Sequence, residues 1–370
     1  MYYFDNSATT PINEKVLNLI IKTQKDIYGN ASSIHQLGRK SKSTIEKARE
    51  QVANAIGANP DQIIFTSGGT ESNNQVLWSR LGKKKNHIIS NTIEHPAILK
   101  VLEKLSSFGI KHNLVSVDEK GTVSIDEINA AISTNTGLIS IMLGNNEVGT
   151  IQPIKKISQL CIEKEVLIHT DAVQCLGKIP IDVKDLGVDF LSLSAHKFYG
   201  PKGIGVLYIK NKNLVSPFLI GGHQESGLRA GTEDIASIAG LGLAAELVTS
   251  KIDDHMTKLN NLANKFKTGL ISFFPQAIFN GNPDNKLPGL ISVSFPGFRS
   301  DILMAKLDRA AIAVSSGSAC GSGDIKPSTI LAEMGINNET NISTLRFSFG
   351  STNSSKEINV LLNTLQLILN

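Results

Sequence analysis

Apolar positions along the chain change period repeatedly. Between Lys42 and Ile56, residues Ile45, Ala48, Val52 and Ile56 fall three or four apart, on one face of a helix, and Gly57 stands where a cap would end it. The next apolar run, QIIF at 62–65, is short and unbroken, as in a strand covered on both sides. HIIS (87–90), GLISIML (137–143), VLIH (166–169), VDFLSL (188–193) and GVLYI (205–209) repeat it, with helical periodicity between most of them. This alternation predicts an α/β fold, a mostly parallel sheet with helices on both faces.

The pattern changes near residue 250. A long amphipathic stretch near 234–267 runs into the turn-rich NGNPDNKLPG. LISVSF, a helix over 299–309, AIAVS, a loop, LRFSF and a terminal helix follow. A smaller α+β domain is expected there: 12–250 form the large domain, and 1–11 with 251–370 the small one.

Composition narrows the function classes. Of 370 residues, 41% are hydrophobic and 19% charged, ordinary for a chain that folds around a core. A net charge of +4 is too small to argue for nucleic acid, and the run Lys83, Lys84, Lys85 reads as a solvated turn. No stretch approaches the roughly 18 apolar residues of a membrane span. MYYFDNSATT has neither the basic nor the apolar region of a secretory signal, so a soluble, cytoplasmic protein is expected. Three cysteines, Cys161, Cys175 and Cys320, form no CxxC pair and suggest neither a disulfide framework nor zinc.

Ligands of open α/β sheets sit beyond the carboxyl ends of the strands. Here those ends are polar: Thr66–Thr70 after QIIF, then Glu94 and His95, Asn145–Glu147, Asp171 and Gln174, and finally Ser194, His196 and Lys197. In TSGGTES the glycines let a ligand approach and a helix N-terminus offers N–H groups to an anion such as phosphate. The same residues also read as a plain helix cap, and they match neither the P-loop nor the dinucleotide fingerprint. Asp171 fits a partner for a protonated ring nitrogen or, the stronger reading taken alone, a helix N-cap. Lys197 follows an apolar strand, where desolvation would sharpen its amine as a nucleophile, although a surface lysine is the commoner occupant. Cys320, among serines and glycines in SSGSACGSGD, reads as an exposed, reactive thiol on a flexible loop. Cys161 and Cys175 read as structural.

Taken in order, these segments resemble the cysteine desulfurases of the class V, fold-type I pyridoxal-phosphate enzymes, in their NifS/IscS branch. FDNSATT (4–10), YGNASSIHQLGR (28–39), TSGGTESNN (66–74), EHPA (94–97), NNEVGTIQPI (145–154), HTDAVQ (169–174), AHKFYGPKGIG (195–205), GGHQESGLRAGTED (221–234), SSGSAC (315–320) and LRFSFG (345–350) carry the resemblance over nearly the whole chain. It implies pyridoxal 5'-phosphate joined covalently to Lys197, with Asp171 on the ring nitrogen, Gln174 on the ring hydroxyl and His95 stacked on the ring, placed to move protons. Gly69, Thr70, Ser194 and His196 would hold the phosphate, with Thr232 reaching from a second subunit of a homodimer. Asn146 and Arg346 would hold the carboxylate of the substrate L-cysteine, and Cys320 would take its sulfur as a persulfide. A sulfur-acceptor protein is then a partner, serving iron–sulfur cluster assembly or tRNA thiolation, with no direct nucleic-acid contact and no membrane. The chain departs from the family pattern at Ala31, where proline is common, and at Ala195, where glycine or serine is usual. It stops at Asn370, soon after the terminal helix, where some relatives carry a tail that docks the scaffold. A selenocysteine lyase, a class V aminotransferase and an inactive sulfur-carrier subunit are the rival readings.

Overall fold

The computed structural model of the protein describes residues 1–316 and 326–370. Its strands are β1 (Tyr2–Tyr3), β2 (Ile63–Thr66), β3 (His87–Asn91), β4 (Lys111–Val115), β5 (Thr136–Ser140), β6 (Leu167–Asp171), β7 (Phe190–Ser194), β8 (Gly205–Ile209), β9 (Ile278–Asn280), β10 (Leu290–Ser294), β11 (Ile312–Ala313) and β12 (Thr344–Ser348). Seven of them form one sheet in the order β2-β8-β7-β6-β5-β3-β4. Strand β8 runs antiparallel to both of its neighbours, and the other six share one direction. The reason lies in the connection: residues 195–204 turn back without a crossover helix, so β8 must return alongside β7. Six carboxyl ends therefore leave the sheet along one edge.

Both faces of the sheet are covered, as unbroken apolar strands require. Ile63, Phe65, Ile168 and Leu191 face a core completed by Ala48 and Val52 of the helix Gln36–Ala55 and Leu241 of the helix Ile235–Thr249. Their chain neighbours Ile64 and Phe190 point the other way, onto Leu77, Ile98 and Leu102. A separate core joins Phe4 to residues of the helices Ile252–Phe273 and Ser300–Arg309, the sheet β12-β10-β9 and the helix Ser355–Leu369. Phe266 lies 4.7 Å from Phe347, centroid to centroid, at its centre.

Several boundaries differ from the sequence expectation. The stretch 234–267 is not one amphipathic helix but two, Ile235–Thr249 and Ile252–Phe273, bent by 73°. The first is largely buried, so its apolar residues point in all directions. Strand β4 was not expected, because an edge strand with Lys111, Asn113 and Leu114 exposed carries no apolar run. The GLISIML strand ends at Ser140, yet Ile141 N and Leu143 N still donate to His169 O and Asp171 O, carrying the chain on toward Asn145. Among the described residues, no single helix is long and apolar enough to cross a membrane.

Strand β2 lies at the sheet edge, and an ion pair stands in for its missing neighbour. Arg49 Nη1 donates to Ile63 O and to Glu225 Oε2, each at 2.8 Å, and Arg49 Nη2 donates to Glu225 Oε1 at 2.7 Å. Glu225 Oε2 also accepts from Phe65 N at 2.8 Å. The two residues thus satisfy backbone groups that would otherwise be buried and unpaired. Glu225 and Ser226 hold left-handed φ values of 48° and 60°, a cost met by this clamp. Glu225→Ala should lower unfolding stability by about 2–3 kcal/mol, since it leaves Phe65 N unpaired and the buried Arg49 with only the half-exposed Glu46 as a charge partner. Urea denaturation measures this, and a loss below about 1 kcal/mol would show that the clamp carries little.

Candidate active site

The polar strand ends converge on a cavity of about 530 Å³. Gly69, Thr70, His95, Asn146, Asp171, Gln174, Ser194, His196, Lys197 and Arg346 all line it. Thr232 does not; it lines a separate hollow with Glu225 and Arg229. Cys320 lies outside the described residues.

Lys197 ends the short turn Ala195–Lys197 that follows β7. Its Nζ donates to the carbonyls of Ser7 and Ala8, each at 2.7 Å. Dipoles satisfy the N–H groups without neutralising the charge. Burial, with help from the Arg346 cation, pushes the amine down from 10.5 to about 8, against the pull of Asp5 and Asp171.

Asp171 ends β6 and caps no helix, since the residues after it form turns. The helix-cap reading therefore fails. Its Oδ2 accepts from Asn73 Nδ2 at 2.6 Å and its Oδ1 from Val173 N at 3.0 Å. His95 is the residue that caps a helix, Pro96–Ser106, with Nδ1 accepting from Ala97 N at 3.1 Å. Burial lowers its pKa below 6.5, with Lys197 adding to that and Asp171 opposing it. A neutral ring whose Nδ1 accepts must carry its proton on Nε2. Beside it, Glu94 Oε1 accepts from Asn91 Nδ2 and Met142 N, both at 2.6 Å. Glu94 Oε2 is buried without a partner, and burial holds this carboxyl well above the usual range.

At the other end of the cavity, the helix Gly69–Trp78 opens with no side-chain cap. Its first-turn N–H groups have no intrahelical acceptor and suit an anion. Gly69 is obligatory, because a Cβ there would lie 2.5 Å from Val173 Cγ2. The acidic Glu71 in this turn is held off by Ser67 N at 2.8 Å and Arg229 Nε at 3.1 Å. His196 Nδ1 lies 3.1 Å from Thr9 Oγ1, and burial with Lys197 and Lys202 pushes its pKa down to about 4, leaving it neutral.

Arg346, from β12, donates through Nη1 to Asn146 O at 2.9 Å and through Nη2 to Asp5 Oδ1 at 2.8 Å. Among the described residues, Arg346 Nε and Asn146 Oδ1 are buried with no hydrogen-bond partner, so the wall here has polar capacity to spare. The sequence reading assigned no role to Asp5, Ser7, Ala8 or Asn73, which orient the lysine, the carboxylate and the arginine, nor to Glu94, which is tied to Asn91 and Met142 N. Asn73 carried one positional signal: on a helix it falls on the same face as Gly69, four residues before it.

A partly buried lysine after one parallel strand, a fixed carboxylate at the end of its neighbour and an open helix N-terminus define a class of protein. The aminotransferase class-V pattern matches residues 2–361, and the chain belongs to that family. It is 43% identical over 375 residues to the cysteine desulfurase IscS of Clostridium botulinum (strain Kyoto / Type A2), across 99% of this chain and 94% of that one. A solved NifS-like protein matches its fold with a TM-score of 0.94 and 37% identity, across 100% of this chain and 99% of that one. SspA, solved in complex with cysteine, gives 0.82 and 35%, across 94% and 99%.

The lowered amine has a direct test. A lysine with its pKa near 8 gains nucleophilicity up to that pH and little beyond it. The rate at which Lys197 reacts with an added aldehyde probe should rise with pH and level off near 8. Arg346→Gln removes a cation and should move that midpoint upward. A wild-type rate still climbing past pH 10 would contradict the geometry.

Proposed function

We propose that this protein is a pyridoxal-phosphate-dependent cysteine desulfurase, converting L-cysteine to L-alanine and passing the sulfur to Cys320 as a persulfide. One observation carries the reading: a partly buried Lys197 amine, pushed down to about 8, shares a cavity with the Asp171 carboxylate and an uncapped helix N-terminus. The printed names of its relatives point the same way.

The residues fit the cofactor. The spare polar atoms of Asn73, Asn146, Glu94 and Arg346 are those expected where a polar molecule binds. Lys197 would join it covalently, Asp171 would accept from the ring nitrogen, Gln174 would meet the ring hydroxyl and His95 would cover the ring. Gly69, Thr70, Ser194 and His196 would hold the phosphate. Bound there, pyridoxal phosphate supplies a sink for the electron pair left on the substrate carbon.

The chain's own groups do the rest. Neutral Lys197 takes the proton from that carbon. His95 serves as a donor from Nε2, because its Nδ1 is already committed to Ala97 N. Arg346 Nε and the Asn146 amide nitrogen would hold the substrate carboxylate. The Cys320 thiolate attacks the substrate sulfur: an S–S bond forms, the C–S bond breaks, and its electron pair stays on carbon, which a proton completes as alanine. Cysteine and one thiol thus give alanine and one persulfide, with no external oxidant.

A homodimer completes the proposal. Thr232 lies away from this chain's cavity, and Tyr28, Ile34 and Ile220 are large apolar side chains left exposed on nearby segments. The separate core joining Phe4 to residues beyond 251 supports a division into residues 12–250 and 1–11 with 251–370, although Leu287 and Leu290 pack into the core of the large sheet. The protein would be soluble and cytoplasmic, handing its sulfur to an acceptor protein in iron–sulfur cluster assembly or tRNA thiolation.

Cys320→Ala should keep the yellow absorbance of bound cofactor yet form no persulfide, and alanine release should fall at least about 100-fold. Wild-type turnover in that variant would reject Cys320 as the nucleophile. Alanine released from selenocysteine but not from cysteine would reject the substrate. Lys197→Ala that stays yellow would reject the cofactor assignment.

A further inference from the structure

Lys178 is 7% exposed and has no place in the chemistry above. Its Nζ donates to Gln174 Oε1 at 2.9 Å. An Nζ–H donor is met by the carbonyl end of the Gln174 amide, and that is the end that faces Lys178. The NH2 end must then point the other way, and there Nε2 donates to Ser7 O at 2.9 Å. That carbonyl is one of the two that hold the Lys197 amine. Gln174 Nε2 carries a second N–H, and Gln174 lines the cavity.

A glutamine amide has two ends of nearly equal size and opposite hydrogen-bonding sense. Nothing in the side chain itself decides which end a ligand meets. We propose that Lys178 is a positioning residue: by donating to Oε1 it locks Gln174 with its NH2 toward the cofactor, as a donor for the anionic ring oxygen. Lys178 is costly where it sits. Burial above all, then Lys197, lowers its amine to about 7, with Arg346 adding to this and the Cys175 thiol opposing. An apolar side chain would fill the space at less cost, which sets the locking role against a packing role. Lys178 lies four residues after Gln174, but the intervening chain is turns rather than helix, so periodicity does not reveal the pair.

This inference rests on the cofactor reading, and the experiment separates the two. Apo-protein is titrated with pyridoxal phosphate and uptake is followed by absorbance, for wild type, Lys178→Met, Gln174→Leu and the double variant. Lys178→Met should bind on the order of tenfold more weakly, the worth of about one hydrogen bond. The double variant should be no weaker than Gln174→Leu, because Lys178 acts through Gln174. Lys178→Gln keeps an N–H donor without the charge and should restore most of the affinity, which also serves if the Met variant fails to fold. Unchanged uptake by folded Lys178→Met, losses that multiply in the double variant, or Lys178→Gln as weak as Gln174→Leu would each overturn the proposal while wild-type uptake stands. Wild-type apo-protein that takes up no pyridoxal phosphate would overturn the functional reading and this one together.

Discussion

Two backbone carbonyls, from Ser7 and Ala8, hold the partly buried Lys197 amine, and the rest of the site is arranged around that choice of partner. A carboxylate in their place would stabilise the ammonium and keep it protonated. Carbonyl dipoles satisfy the same N–H groups yet leave the charge exposed to its desolvation cost. The nearby acids are accordingly engaged elsewhere: Asp171 with Asn73 and Val173, and Asp5 with Arg346. The amine is held in position without being held in its charged form.

The N-terminal segment is the common thread. Asp5 accepts from Arg346, Asn6 donates to Ser348 O, Ser7 O serves both Lys197 and Gln174, and Thr10 N donates to His196 O. A few residues of extended chain thereby tie β12 to the turn after β7. The segment adds no strand to the large sheet, but it supplies the acceptors that the strand ends lack.

Much of this was legible in the sequence. Strands buried on both faces show as unbroken apolar runs, so β2, β3, β5, β6, β7 and β8 were found within a residue or two, apart from the early end of β5. Edge strand β4 and the break between the helices Ile235–Thr249 and Ile252–Phe273 were not, since one shows no apolar run and the other has no glycine or proline at the break. In the site, Lys197, Asp171 and His95 were marked by polarity at strand ends and given roles by resemblance. What stayed hidden was the set of groups that aim them. Carbonyls of Ser7 and Ala8 have no side-chain signature, and Asn73 looks like any helical asparagine until Asp171 arrives beside it. Asp171 itself was better explained locally as a helix cap; the chain's turn after β6 decided otherwise.

The meeting of Asp5 with Arg346 joins residues 341 positions apart, and Asn6 reaches Ser348 across 342. Contacts so distant in sequence close late, because the entropy of the intervening loop must first be overcome by other structure. On a chain made from its N-terminus, the acceptors for Lys197 emerge before Lys197 itself, while Arg346 and β12 emerge well after the large sheet. That sheet has all its strands by Ile209, yet the pocket along its edge lacks one wall until β12 has been made. The site is thereby completed only once Asp5 and Arg346 have been brought together.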